Sequence, residues 1–289
     1  MNEHIRIITD GVADIPPHLI QQFKIKVVPI YLMLGRASHL VGVAADYGWF
    51  YRELLASDVM PKTAAPAPAE FLQAYRELVA EGARDIIGLF ASSNVSSLYN
   101  HALLAAQQLT ECEDSRVTVH VFDTGQVSMG IGWIVLMVAE AVARGASIAE
   151  IKALIMYARA RSSVLGMLDS PEYLRRSGRV GWAATKLVSL LQIKPMISFV
   201  EGEAQLIGRV RTHQRALQHM VDLVMTMSPL ERLAVLHAHA NPTVVTRLSE
   251  ALAPYAPDNL PLVVEVGPIF GAHVGPGAVG VALVRAGTL

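Results

Sequence analysis

Residues 265–281 read EVGPIFGAHVGPGAVGV, in which five glycines and two prolines surround one histidine, His273. Glycine allows positive φ and close backbone approach, and proline fixes φ, so the run is read as a loop of one special path that holds His273 in place. Hydroxyl and carboxyl groups collect elsewhere, at three turns that follow aliphatic runs: Thr9-Asp10, Ser92-Ser93 and Asp123-Thr124. The stretch Ser92-Ser93-Asn94-Val95-Ser96-Ser97 also precedes a helical pattern, where free amides and the helix dipole favour an anion. Capping of that helix is the plainer use of the same serines. Thr63 lies in a proline-bracketed loop, PKTAAPAP, and adds another hydroxyl. Three arginines, Arg175, Arg176 and Arg179, stand within five residues; the guanidinium fork suits carboxylate or phosphate.

These groups allow two chemistries. Hydroxyls and a histidine could hold an anionic head group, or Ser93, His273 and Asp10 or Asp123 could form a hydrolytic triad. The chain has no G-x-S-x-G elbow, which weighs against the triad. His237-x-His239 could suggest a metal, but with no acidic or cysteine partner close in sequence it reads as packing. No G-x-x-x-x-G-K-S/T run offers a nucleotide site, so the chain is not itself expected to bind ATP. No cofactor and no metal are expected.

The elements that must position these side chains alternate. Runs at residues 5–9, 26–34, 85–90 and 117–122 read as buried strands, and helical patterns fill residues 17–23, 46–55, 69–80, 98–109, 127–144 and 148–161. Strand–helix alternation at this spacing predicts a parallel sheet covered by helices. Ligands of such sheets sit at the carboxyl ends of the strands, where the three polar turns fall. Beyond residue 160 the texture changes. Residues 163–168, 196–200, 204–209, 233–239, 262–266 and 279–284 read as strands, with a hairpin turn at Glu201-Gly202, and residues 212–227 and 242–252 as helices. The expectation is two α/β domains, residues 1–160 with a parallel sheet and residues 161–289 with a mixed sheet.

Composition bounds the partners. The chain is 52 % hydrophobic but only 6 % aromatic, with a mean hydropathy of +0.38; that is enough aliphatic surface for a large core and a pocket. A net charge of −1 without a basic block gives no footprint for nucleic acid or an anionic membrane. The opening residues, MNEHIRIITD, lack the form of a secretion signal, and the longest apolar run, residues 129–139, is too short to span a bilayer of roughly 20-residue demand. A soluble cytoplasmic protein with at most transient membrane contact is expected.

Several ordered blocks carry a family resemblance. Thr9-Asp10-Gly11-Val12-Ala13-Asp14-Ile15-Pro16, the 92–99 serine block, Asp123 to Gly130 (DTGQVSMG), Leu174-Arg175-Arg176-Ser177-Gly178-Arg179-Val180 and Gly271-Ala272-His273-Val274-Gly275-Pro276-Gly277 resemble, in order, motifs of the DegV family. Those proteins carry a fatty acid for a bacterial fatty acid kinase. The resemblance implies a long-chain fatty acid in a site between the two domains. Its carboxylate would be held by Thr63, by Ser93 with Ser92 and Ser96 nearby, and by a network reaching His273. A separate ATP-dependent fatty acid kinase subunit would phosphorylate it, and Arg175, Arg176 or Arg179 would help that partner dock or orient the carboxyl group. The chain departs from the motif at Ala64 and Ala67, where the family has serines. Another amphipathic anion is the alternative ligand.

Overall fold

The computed structural model describes residues 4–44, 46–57, 59–113, 116–180 and 193–288. Strands β1 (Ile5–Asp10), β2 (Lys26–Val28), β6 (Asp85–Phe90) and β7 (Thr118–Asp123) form a parallel sheet in the order β2-β1-β6-β7. The aliphatic runs of the central strands β1 and β6 are buried on both faces, as a helix-covered parallel sheet requires, while the edge strands β2 and β7 are mostly half-buried. The expected strand at residues 26–34 is in fact two. Pro29 has no N–H to give to a ladder, and the chain leaves the parallel sheet there. It re-forms as β3 (Ile30–Leu34), which pairs antiparallel with β4 (Ala37–Val41) and with β5 (Lys62–Ala64). Thr63 therefore lies on a short strand and not in a free loop.

The second sheet has six strands in the order β10-β9-β8-β13-β11-β12. These are β8 (Ser162–Met167), β9 (Lys194–Val200), β10 (Glu203–Val210), β11 (Leu230–His237), β12 (Leu262–Glu265) and β13 (Val279–Arg285). Only β11 and β12 run parallel, so the sheet is mixed, as the hairpin-rich sequence implied. Alternation along the strands feeds two cores. Leu165, Met167, Leu233, Val235 and Val281 face helices His213–Met227 and Pro242–Leu252. Val164, Ala234, Leu236 and Ala282 face the first sheet, in a core that both sheets share.

Helix boundaries follow local chemistry. Helix Ile148–Arg161 starts with a reciprocal cap, in which Ser147 Oγ accepts from Glu150 N (3.3 Å) and Glu150 Oε2 accepts from Ser147 N (2.8 Å). Pro68 opens helix Pro68–Ala80 at a position that needs no N–H. Helix Met129–Ala143 is buried along nearly its whole length and touches β1 and β6 of one sheet and β8 and β13 of the other. Trp133 fixes it to the second sheet by donating from Nε1 to Ala282 O (3.0 Å).

Candidate functional site

A cavity of about 640 Å³ opens between the sheets. Among the described residues its walls are mostly aliphatic, including Ile30, Val164, Ile197, Leu236 and Val279, and its polar groups are few: Thr63, Ser96, Ser97, Arg179, His237 and His273. This is the make-up of a site for a ligand with a long apolar body and one polar end.

The segment around His273 is a helix, Pro268–Val274, and not the loop expected from its glycines and prolines. Pro268 takes the first helical position, where proline is tolerated, and Gly275, at φ 76°, ends the helix. The helix start is pinned from two sides. Tyr51 Oη donates to Val266 O at 2.8 Å, and Asp14 Oδ1 accepts from Gly267 N at 2.8 Å. Gly271 is needed for that closeness, because a Cβ there would stand 2.6 Å from Tyr51 Oη. His273 is thus carried on a rigid element, and its Nε2 lies 3.1 Å from Thr63 Oγ1. Burial, with the positive charge of Arg179 nearby, pushes the imidazole pKa down to about 4, so the ring is neutral at neutral pH.

The three arginines have separate fates. Glu172, at the start of helix Glu172–Ser177, accepts from Arg175 Nε (2.9 Å) and Nη2 (2.7 Å) and also pairs with Arg176 Nε. Gly178, at φ 68°, ends that helix and turns the chain. Arg179 is released toward the cavity, where its Nη2 donates to Thr63 O (3.3 Å) and Thr63 Oγ1 (3.4 Å). Thr63, His273 and Arg179 therefore meet at one oxygen atom.

The serines divide as well. Ser96 lines the cavity, and its Oγ accepts from Leu98 N (3.3 Å) at the start of helix Leu98–Gln108. Ser92 and Ser93 are not among the lining residues. The Ser92 hydroxyl is buried and donates to Gly202 O (2.9 Å), which ties the first sheet's loop to the β9–β10 hairpin. The Ser93 hydroxyl donates to Asp123 Oδ2 at 2.6 Å. Asp10, buried and pushed up to about 6 by burial, accepts from Val12 N (2.8 Å) and Ala91 N (2.8 Å). The hydrolytic alternative finds no serine–histidine pair among the described residues: Ser93 bonds an aspartate directly, and His273 bonds Thr63.

Two features escaped the sequence reading. Asp14, at φ 50°, accepts from Ser128 Oγ (2.5 Å) as well as from Gly267, and so links three distant segments. Burial raises its pKa to about 7, with the nearby Asp10 charge adding to the shift against both hydrogen bonds. The TDG-x-AD and DTGQVSMG blocks contained both partners, but nothing in their spacing showed that they meet. Likewise, Glu265 supplies the acid that the local sequence around His239 lacked: His239 Nδ1 lies 3.3 Å from Glu265 Oε1. Among the described residues, no group of three His, Cys, Asp or Glu side chains is placed to hold a metal. No helix among them is long and apolar enough to cross a membrane.

Residues 4–286 match the family model described as "Uncharacterised protein, DegV family". The chain belongs to the DegV family. Among curated DegV domain-containing proteins, one from Streptomyces coelicolor is 30 % identical over 285 residues, covering 97 % of this chain and 98 % of that one. Another, from Deinococcus radiodurans, is 31 % identical over 286 residues, covering 96 % of this chain and 98 % of its own length. The solved structure of a fatty-acid-binding DegV family protein from Thermus thermophilus superposes with a TM-score of 0.87 at 28 % identity, over 98 % of this chain and all of that one. The pairing of a parallel-sheet domain with a mixed-sheet domain is thus the DegV architecture.

Proposed function

We propose that this DegV protein binds a long-chain fatty acid in the cavity between its sheets and presents the carboxyl group to a separate ATP-dependent kinase for acyl-phosphate formation. The observation that carries the reading is the meeting of Thr63, His273 and Arg179 at the edge of an otherwise apolar cavity of about 640 Å³. The fatty-acid-binding activity of the Thermus thermophilus relative supports it.

The hydrogen-bond logic fits a carboxylate. With Nε2 protonated, neutral His273 donates to Thr63 Oγ1, and Arg179 donates to the same oxygen. Both lone pairs are then engaged, and the hydroxyl proton is left to point at an acceptor. Ser96 offers a second hydroxyl. Arg179 is exposed, so the polar end of the ligand lies where a phosphate donor can approach. A head group held by hydroxyls, with one arginine braced on Thr63, keeps a carboxylate oxygen available for transfer in a way that a buried bidentate clamp would not. Ser92 and Ser93 act in this scheme by shaping the loop that carries Ser96, and Arg175 and Arg176 form the outer face on which the kinase docks.

The test is organic extraction and mass spectrometry of the purified protein, followed by incubation with ATP and a bacterial fatty acid kinase. The expected result is about one fatty acid per chain and an acyl phosphate on addition of the kinase. A folded protein that neither carries nor takes up a fatty acid overturns the reading, and a different amphipathic anion in the extract would replace the ligand.

A further inference from the structure

Two glycines face each other in the middle of the six-stranded sheet. Gly166 on β8 is in register with Gly280 on β13; Ile197 on β9 continues the row on one side, and Leu236 on β11 on the other. All four line the cavity. Glycine weakens a strand interior, because it adds no packing and loses the most backbone freedom on ordering. Each glycine therefore needs a reason.

The reasons differ. A Cβ on Gly280 would stand 2.5 Å from Leu165 O, so the backbone itself excludes a side chain there. A Cβ on Gly166 would meet, among the described residues, only Val279 O, at an ordinary 3.7 Å. Nor does Gly166 have a positive φ that would call for glycine. It is also the one residue of β8 that is not fully buried, although β8 lies inside the sheet. The space above it belongs to the cavity. Strand alternation puts Val164, Gly166 and Leu168 on the cavity face, and all three line it. At roughly 3.3 Å per residue those positions cover about 13 Å of floor, with Gly166 at the midpoint.

We infer that Gly166 sets the length of acyl chain that this protein accepts, by keeping the middle of the cavity floor free of any side chain so that a long chain can pass over it. The inference rests on the fatty-acid reading above and adds to it the residue that selects among fatty acids. A side chain at this position would occupy ligand volume without disturbing the sheet.

The experiment is a graded series, Gly166→Ala, Gly166→Val and Gly166→Leu, with Gly280→Ala as the paired control. Each variant is expressed in the same host, its bound fatty acids are extracted and sized by mass spectrometry, and its melting temperature is recorded. Leucine adds four carbons in a closely packed space, so it excludes roughly four methylenes and shifts preference from acids of about sixteen carbons toward about twelve by on the order of 100-fold. Alanine and valine shift it by less, in order of size, while their melting temperatures hold or rise. Gly280→Ala, whose Cβ meets the Leu165 carbonyl, lowers the melting temperature. If wild type carries fatty acid and the folded Gly166 variants carry the same lengths, this inference is wrong and the fatty-acid reading stands. If Gly166→Ala melts as early as Gly280→Ala, the glycine serves the backbone and the inference also fails. Wild type without any fatty acid overturns the binding reading itself.

Discussion

Under the proposed function, replacing Thr63 with valine separates holding a fatty acid from presenting it. Valine keeps the shape and suits β5, a strand position, but it removes the oxygen shared by His273 at 3.1 Å and Arg179 at 3.4 Å. Arg179 keeps its bonds to Ser177 O (2.9 Å) and to the main-chain O of residue 63 (3.3 Å), and His273 stays neutral. Two hydrogen bonds to that oxygen are lost and the His273 donor is left without its acceptor, so the stability cost is about 1–2 kcal/mol. Binding changes more, but not decisively. About fifteen methylenes buried at roughly 0.8 kcal/mol each give on the order of 12 kcal/mol before the costs of association. One hydrogen bond to a carboxylate contributes about 1.5–3 kcal/mol, or roughly 10- to 150-fold in Kd. Lipid retained through purification should then remain near one per chain. Phosphoryl transfer is less forgiving, because a head group displaced by about 1 Å can lose on the order of 100-fold in rate. Acyl-phosphate formation with a fatty acid kinase, followed alongside extracted lipid, should fall about 100-fold while lipid content holds. Equal losses in both assays would show that the head group dominates affinity, and unchanged turnover would show that Thr63 does not orient the carboxyl group.

Three further outcomes are expected. Asp14 and Asp10 have folded pKa values of about 7 and 6, above the ordinary 3.8, so the native state binds more protons than the unfolded state across that interval, and their contribution to stability is lost as pH rises toward 7. His273, lowered to about 4 from 6.5, works in the opposite sense, its contribution being lost as pH falls from 6.5 toward 4. Asp14→Asn, which suits the positive φ, should accordingly tilt the melting temperature upward with pH between 4 and 7 relative to wild type; parallel curves would contradict the raised pKa. Arg179→Gln should lower kinase-dependent turnover at least tenfold by loosening the Thr63 hydroxyl, whereas Arg175→Gln and Arg176→Gln, whose guanidiniums Glu172 already holds, should act only through the affinity for the kinase; initial rates at varied kinase concentration distinguish the two. Ser93→Ala should cost about 1–2 kcal/mol in denaturant unfolding, because Asp123 loses its 2.6 Å donor, and should leave lipid content unchanged; a lipid-free variant would place Ser93 in the site after all.

Much of the fold was legible because long periodic runs decide their own structure. The four parallel strands, the helices at residues 148–161 and 213–227, and the β9–β10 hairpin all follow from spacing and from caps such as Ser147–Glu150. The three-stranded sheet was not, since β4 (ASHLV) is mostly exposed and β5 has only three residues, so neither shows a period. The helix of His273 was hidden by its own composition: glycines at close contacts look like loop residues until Tyr51 is seen against Gly271. For the site, the residue types were readable and their directions were not. Which way each serine hydroxyl turns depends on Asp123 and on Gly202, far away in sequence. The three arginines looked alike in the sequence, and only the reach of Glu172 sets Arg179 apart.

Helix Met129–Ala143 also has consequences during synthesis. Its residues are almost all apolar, and its two sides belong to different sheets. Once the first sheet has formed, the side that will meet β8 and β13 stays bare, and β13 ends only at Arg285. At roughly 5–20 residues per second, the chain must grow for on the order of ten seconds before that surface is covered. A nascent chain stalled in this window displays a sticky aliphatic face, which makes it a natural client for ribosome-associated chaperones. Fragments ending after residue 161 should aggregate unless the missing strands are supplied in trans.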